Sequence, residues 1–74
     1  SGELMFIDDS FQVISNKLER KYNVEIINNY PALNDIMVTA TFKNEDIEQV
    51  LKTFQTYEAF DFTIKNRIVT INKP

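Results

Sequence analysis

Apolar and polar residues first alternate along this chain, then recur at helical spacing, then alternate again, and the cycle runs twice. Glu3–Ile7 reads as a short strand, with Leu4 and Phe6 on one face and Met5 and Ile7 on the other. Phe11, Ile14, Leu18 and Tyr22 follow at the spacing of a helical stripe, and Asn16, Lys17, Glu19 and Arg20 take the opposite face. Asp8 is expected to cap this helix, with Asp9 in its first turn, where a carboxylate complements the helix dipole. The helix should give way at Asn23, and Val24–Ile27 forms the second strand.

A turn-rich connector, Asn28–Asp35, separates the two cycles; the proline after Tyr30 pushes that tyrosine towards extended backbone. Ile36–Phe42 then alternates, with Val38, Ala40 and Phe42 facing one way and Met37, Thr39 and Thr41 the other. Asn44 is the expected cap of a second helix, with Glu45 and Asp46 in its first turn and a stripe of Ile47, Val50, Leu51, Phe54 and Tyr57. Phe60–Ile64 and Ile68–Ile71 read as strands joined by a tight hairpin through Lys65-Asn66-Arg67, in which Asn66 takes a left-handed conformation.

The two cycles are copies. Phe6 to Ile14 reappears as Phe42 to Val50, and Leu18 and Val24-Glu25-Ile26 answer to Phe54 and Phe60-Asp61-Phe62, all at a spacing of 36 residues. A period of that length is one supersecondary unit, which buries only one face when alone. The expected fold is therefore α+β: a duplicated β-α-β unit in the order β-α-β-β-α-β-β, its two copies packed together to close one core. Phe6, Ile14, Leu18, Val24, Phe42, Val50, Leu51, Phe54 and Phe62 are the expected core.

At 74 residues the chain is one domain, near the size below which folding calls for a metal or disulfides. It has neither Cys nor His, so its stability must come from the 43% of residues that are apolar. Residues 1–2, Ser-Gly, read as a remnant of an expression vector and 3–74 as the domain. The net charge of −3 and the absence of a Lys/Arg stripe argue against nucleic acid as a partner, because neutralised phosphates dominate such binding.

The search for reactive chemistry comes up empty. Asp8-Asp9 lacks the glycine-containing spacing of a calcium loop, and Ser10 and Ser15 have neither a His partner nor a glycine-rich elbow. The one glycine is Gly2, so no phosphate-cradling loop precedes a helix. The expectation is a non-enzyme with no catalytic residue, no metal and no cofactor.

Two segments resemble a known family. Lys17-Leu18-Glu19-Arg20-Lys21-Tyr22-Asn23-Val24-Glu25-Ile26 and Thr39-Ala40-Thr41-Phe42-Lys43-Asn44-Glu45-Asp46-Ile47-Glu48-Gln49-Val50-Leu51 look like the C-terminal domain of FecR-like anti-sigma factors of the Bacteroidetes type. The ending, Phe60 to Ile64 and Arg67 to Ile71, fits the same pattern, so the resemblance runs from Leu4 to Ile71. It departs from that pattern at Asp46, where a proline is common, and at Asn66, in a hairpin that often carries Gly-Asn. The short N-terminal domains of secretins and of TonB-dependent transducers carry a similar duplicated unit.

The resemblance implies two helices side by side, sandwiched between two small sheets, in a periplasmic domain of an inner-membrane regulator that is membrane-anchored in its full-length form. Its partner would be the N-terminal signalling domain of a TonB-dependent outer-membrane transducer, and a cytoplasmic part beyond these residues would act on an ECF sigma factor. The alternatives are a secretin or transducer N-terminal domain, which shares the fold, and a small-molecule sensor, which would need an apolar pocket. The expected contacts are Tyr30, exposed in the connector, and Ile68, Val69 and Ile71, on a final strand expected to be a sheet edge.

Overall fold

The structure, a computed structural model, describes residues 2–74. The element order is β1 (Leu4–Ser10), α1 (Phe11–Tyr22), β2 (Glu25–Asn28), a 3-10 turn (Pro31–Asp35), β3 (Met37–Phe42), α2 (Ile47–Phe54), β4 (Asp61–Lys65) and β5 (Ile68–Asn72). Two helices and two small sheets make an α+β domain, as the alternation of periods predicts. β1 and β3 form an antiparallel pair; β2, β5 and β4 form a three-stranded sheet in that spatial order.

The duplication is visible in the ladder. Leu4 pairs with Phe42, Met5 with Thr41 and Phe6 with Ala40. Exchanging the two copies turns the first of these pairs into the third and leaves the middle one in place. β1 and β3 are thus related by an approximate two-fold axis through Met5 and Thr41, and each supplies the other's missing strand partner.

Both sheets and both helices close on one core. Phe6, Phe11, Ile14, Leu18, Leu33, Val38, Phe42, Val50, Leu51, Phe54, Phe60, Val69 and Ile71 are buried. The Phe54 ring lies 6.3, 5.7 and 5.6 Å from those of Phe6, Phe11 and Phe42, in tilted or edge-on contacts that suit the aromatic quadrupole. Of the nine expected core residues, Val24 and Phe62 are only partly buried, because each lies at the margin of the three-stranded sheet.

Both expected helix starts are corrected. Asp8 caps nothing; β1 runs on to Ser10 through an irregularity between Phe6 and Asp9. Asp8 sits there at φ 49°, its N–H donating to Thr39 Oγ1 at 2.9 Å. Ser10 is the cap of α1, accepting from Val13 N–H, and Asp9 accepts from Ile7 N–H. For α2 the cap is Asp46 rather than Asn44. Its carboxylate accepts from Gln49 N–H at 2.9 Å while the Gln49 side chain accepts from Asp46 N–H, a reciprocal capping box. Counting acids near a helix start does not say which one has extended backbone and faces the third residue on.

Asn23 does end α1, at φ 54°. β2 begins and ends one residue later than expected, β3 begins one residue later, and Pro31–Asp35 coils within the connector to bury Leu33. The last hairpin is tighter than expected. Asn66 and Arg67 both have positive φ, 51° and 62°, and Lys65 pairs directly with Ile68, which makes a two-residue primed turn.

Candidate protein-interaction surfaces

The three tyrosines act as staples. Tyr22 at the end of α1 donates to the Glu45 carbonyl at 2.8 Å, across the boundary between the copies. Tyr57, just past α2, donates to the Thr39 carbonyl at 2.7 Å, and Tyr30 donates to Glu58 at 3.0 Å. The Tyr30 phenol is held above its ordinary pKa, first by that hydrogen bond and then by burial. The Tyr22 phenol is raised by burial and by the charges of Glu45 and Asp46. Both therefore stay protonated and donating.

The expected contact residues do not form one surface. Tyr30 is half-buried against the core, with its hydroxyl spent on Glu58. The expectation of an edge for the final strand is corrected: β5 is central, parallel to β2 on one side and antiparallel to β4 on the other. Val69 and Ile71 point into the core and are fully buried, which takes their side chains away from any partner. Ile68 faces out between Glu25 and Lys65, 37% exposed. A local pattern cannot show this, because the strand that occupies the far side of β5 comes from the first copy, more than 40 residues upstream.

The sheet edges are instead β1 and β3 in the pair and β2 and β4 in the three-stranded sheet. At β2, Glu19 reaches from α1 and accepts from Ile26 N–H at 2.8 Å, so that donor is occupied. At β3, Tyr57 occupies the Thr39 carbonyl. At β4, Gln55 Nε2 donates to the Phe60 carbonyl at 2.8 Å, just before the strand begins.

The outer face of the β1–β3 pair carries Met5, Ile7 and Met37, 53%, 67% and 50% exposed, beside Thr39 and Thr41. This apolar face is the surface that site reasoning missed. The signal was present: Met5 and Ile7 alternate with Leu4 and Phe6, and only one side of a strand can face a single core.

An open depression of about 460 Å³ is lined by Thr41, Lys43, Asn44, Glu45 and Gln49. It is shallow and open to solvent and is built from polar and charged residues, unlike the enclosed apolar cleft that a sensor of small molecules uses. Among the described residues no three of His, Cys, Asp and Glu are grouped to hold a metal ion, and no helix is long and apolar enough to cross a membrane.

Likeness to other proteins follows the fold. Two crystal structures, at 1.65 and 2.50 Å resolution, of a protein assigned as an anti-sigma factor from Parabacteroides distasonis ATCC 8503 superpose with TM-scores of 0.85 and 0.84. Each is 23% identical, and the match covers 99% of this chain and 34% of the other. The chain thus spans about a third of the length of those proteins and shares their local fold. No curated protein matches it. The model of the family "FecR, C-terminal" matches residues 3–71, almost the whole length, and the chain belongs to that family.

Proposed function

We propose that this chain is the receiving module of a transmembrane anti-sigma factor. It sits in the periplasm, binds the N-terminal signalling domain of a TonB-dependent outer-membrane transducer, and passes the signal through an anchored chain to an ECF sigma factor. Its role is non-catalytic. The observation that carries this reading is the family match across residues 3–71. The exposed Met5, Ile7 and Met37 face gives a partner apolar area to cover.

A calorimetric titration of this chain with the signalling domain of the transducer encoded beside its gene tests the first step. Saturable one-to-one binding is expected, and Ile7→Lys should weaken it without changing the circular dichroism spectrum. Two folded partners that show no heat at millimolar concentration would sink the reading. For the relay, deleting these residues from the full-length regulator should uncouple sigma-dependent transcription from the outer-membrane stimulus; unchanged inducibility would rule it out.

A further inference from the structure

The two edges of the three-stranded sheet differ. Glu19 occupies the Ile26 donor on the β2 side. On the β4 side the turn geometry decides which groups are free. In a two-residue hairpin the pair closing the turn, here Lys65 and Ile68, exchanges backbone hydrogen bonds. By alternation Thr63 and Asp61 also bond to β5, and Phe62 and Ile64 turn their N–H and C=O groups away from the sheet. Among the described residues no side-chain hydrogen bond reaches those four groups.

The same strand is short of cover on its inner face. Phe62 and Ile64 pair with Ile71 and Val69 and so share their core-facing side. Val69 and Ile71 are 0% exposed, whereas Ile64 is 38% exposed and Phe62 only partly buried. The core stops one strand early along this edge.

We propose that a second copy of this chain supplies that strand. β4 pairs antiparallel with β4 of the second copy about Thr63, joining two three-stranded sheets into one of six strands. The sequence Asp61-Phe62-Thr63-Ile64-Lys65 is complementary to itself in that direction. Asp61 faces Lys65 of the second copy, Phe62 faces Ile64, and Thr63 faces its own equivalent.

Charge meets opposite charge on the outer face, and apolar side chains meet on the inner one. Phe62 and Ile64 exchange their outward backbone groups with the other copy, leaving no unpaired donor at the seam. A slip of one residue would set charged against apolar positions, and a slip of two would keep the faces but lose the Asp61–Lys65 pair. The interface is isologous, so it closes at two copies. This association does not depend on the transducer reading above.

A five-residue edge is smaller than a standard interface of about 1,600 Å² total, so the dimer should be weak, with a dissociation constant on the order of 100 μM. Sedimentation equilibrium between about 10 μM and 1 mM should show a reversible monomer–dimer equilibrium. Asp61→Lys and Lys65→Glu, both at exposed positions, should each weaken it about tenfold by opposing like charges. The double variant D61K/K65E should return to within about threefold of the parent, because the pairs re-form in reverse.

Thr63→Cys gives an independent readout in a chain with no other cysteine. Its equivalent in the second copy lies across a non-hydrogen-bonded pair, about 4.5 Å away at Cα and within disulfide reach. Mild oxidation should yield covalent dimer, while Lys65→Cys should not, its own equivalent lying about 13 Å further along the strand. A chain that stays monomeric at 1 mM, a dimer indifferent to the charge set, or Lys65→Cys linking as readily as Thr63→Cys would each overturn the proposal.

Discussion

The two copies of the β-α-β unit began alike and have diverged in a patterned way. In the first, Leu4–Asn28, the helix runs for 12 residues; in the second, Met37–Lys65, it runs for 8. The first helix starts on a single Ser10 hydrogen bond of 3.3 Å and ends at the left-handed Asn23. The second starts on a reciprocal capping box and unwinds into turns at Gln55–Glu58. The longer helix has the weaker start, and the shorter one needs the stronger, since few turns remain to offset a frayed end.

Inside, the copies trade volume. Phe11 in the first answers to Ile47 in the second, and Val24 answers to Phe60. Phe11 and Phe60 are buried, with rings 6.3 Å apart, while Ile47 and Val24 are only partly covered. Phe6 and Phe42 keep a ring in both copies, but a shared core cannot seat two phenylalanines at every equivalent position, so these two pairs of sites each place a ring on one side only. Duplication supplied the pattern, and close packing broke its symmetry.

Truncating the equivalent stripe residues tests whether the copies still share one core. Leu18→Ala and Phe54→Ala should each cost about 2–5 kcal/mol by lost burial and cavity formation, enough to unfold so small a domain. Thermal melts would check it. If one variant melted like the parent, one copy would be dispensable and the shared core wrong.

The caps should differ in rank. Asp46→Ala removes a carboxylate and strands the reciprocal Gln49, at about 1–2 kcal/mol, whereas Ser10→Ala should cost about 0.5–1 kcal/mol. Urea unfolding of both would settle the order, and equal midpoints would remove the contrast drawn between the helix starts.

Arg67 links the copies and should matter less than the Asp46 cap. From the hairpin turn its Nε donates to the Asn23 carbonyl at 2.8 Å and its Nη2 to the Tyr22 carbonyl at 3.1 Å, closing the end of α1. Arg67→Ala should lose about 1 kcal/mol. Arg67→Gly should lose less, because glycine accepts φ 62° without the strain that a side chain incurs there. A glycine variant weaker than the alanine one would show that the turn is unstrained.

The smallest effect is electrostatic. Glu45, whose carboxylate accepts from Lys43 N–H at 2.7 Å, is held below the ordinary carboxylate pKa chiefly by that hydrogen bond. A folded-state value below the unfolded one stabilises above the ordinary carboxylate range, and that stability disappears as pH falls through the lowered value. Glu45→Gln should therefore melt slightly below the parent at pH 7, with the gap closing in acid. A gap that widened in acid would contradict the assignment.

Much of this domain was legible along the chain because its signals are local. The stripes Phe11, Ile14, Leu18 and Val50, Leu51, Phe54, the stop at Asn23 and the hairpin after Lys65 depend on neighbours within a turn or two. The 36-residue repetition set the order of elements, and the alternation of β1 already held the exposed Met5–Ile7 face. What the tertiary structure alone decided were relations between distant segments. They include the seating of β5 between β2 and β4, the Asp8–Thr39 irregularity that moved the first cap to Ser10, and the reach of Arg67 to α1. A strand has the same period at the centre of a sheet as at its edge; β4 reaches β5 through a local hairpin, and only the partner on the second side, β2 from more than 40 residues upstream, makes β5 central.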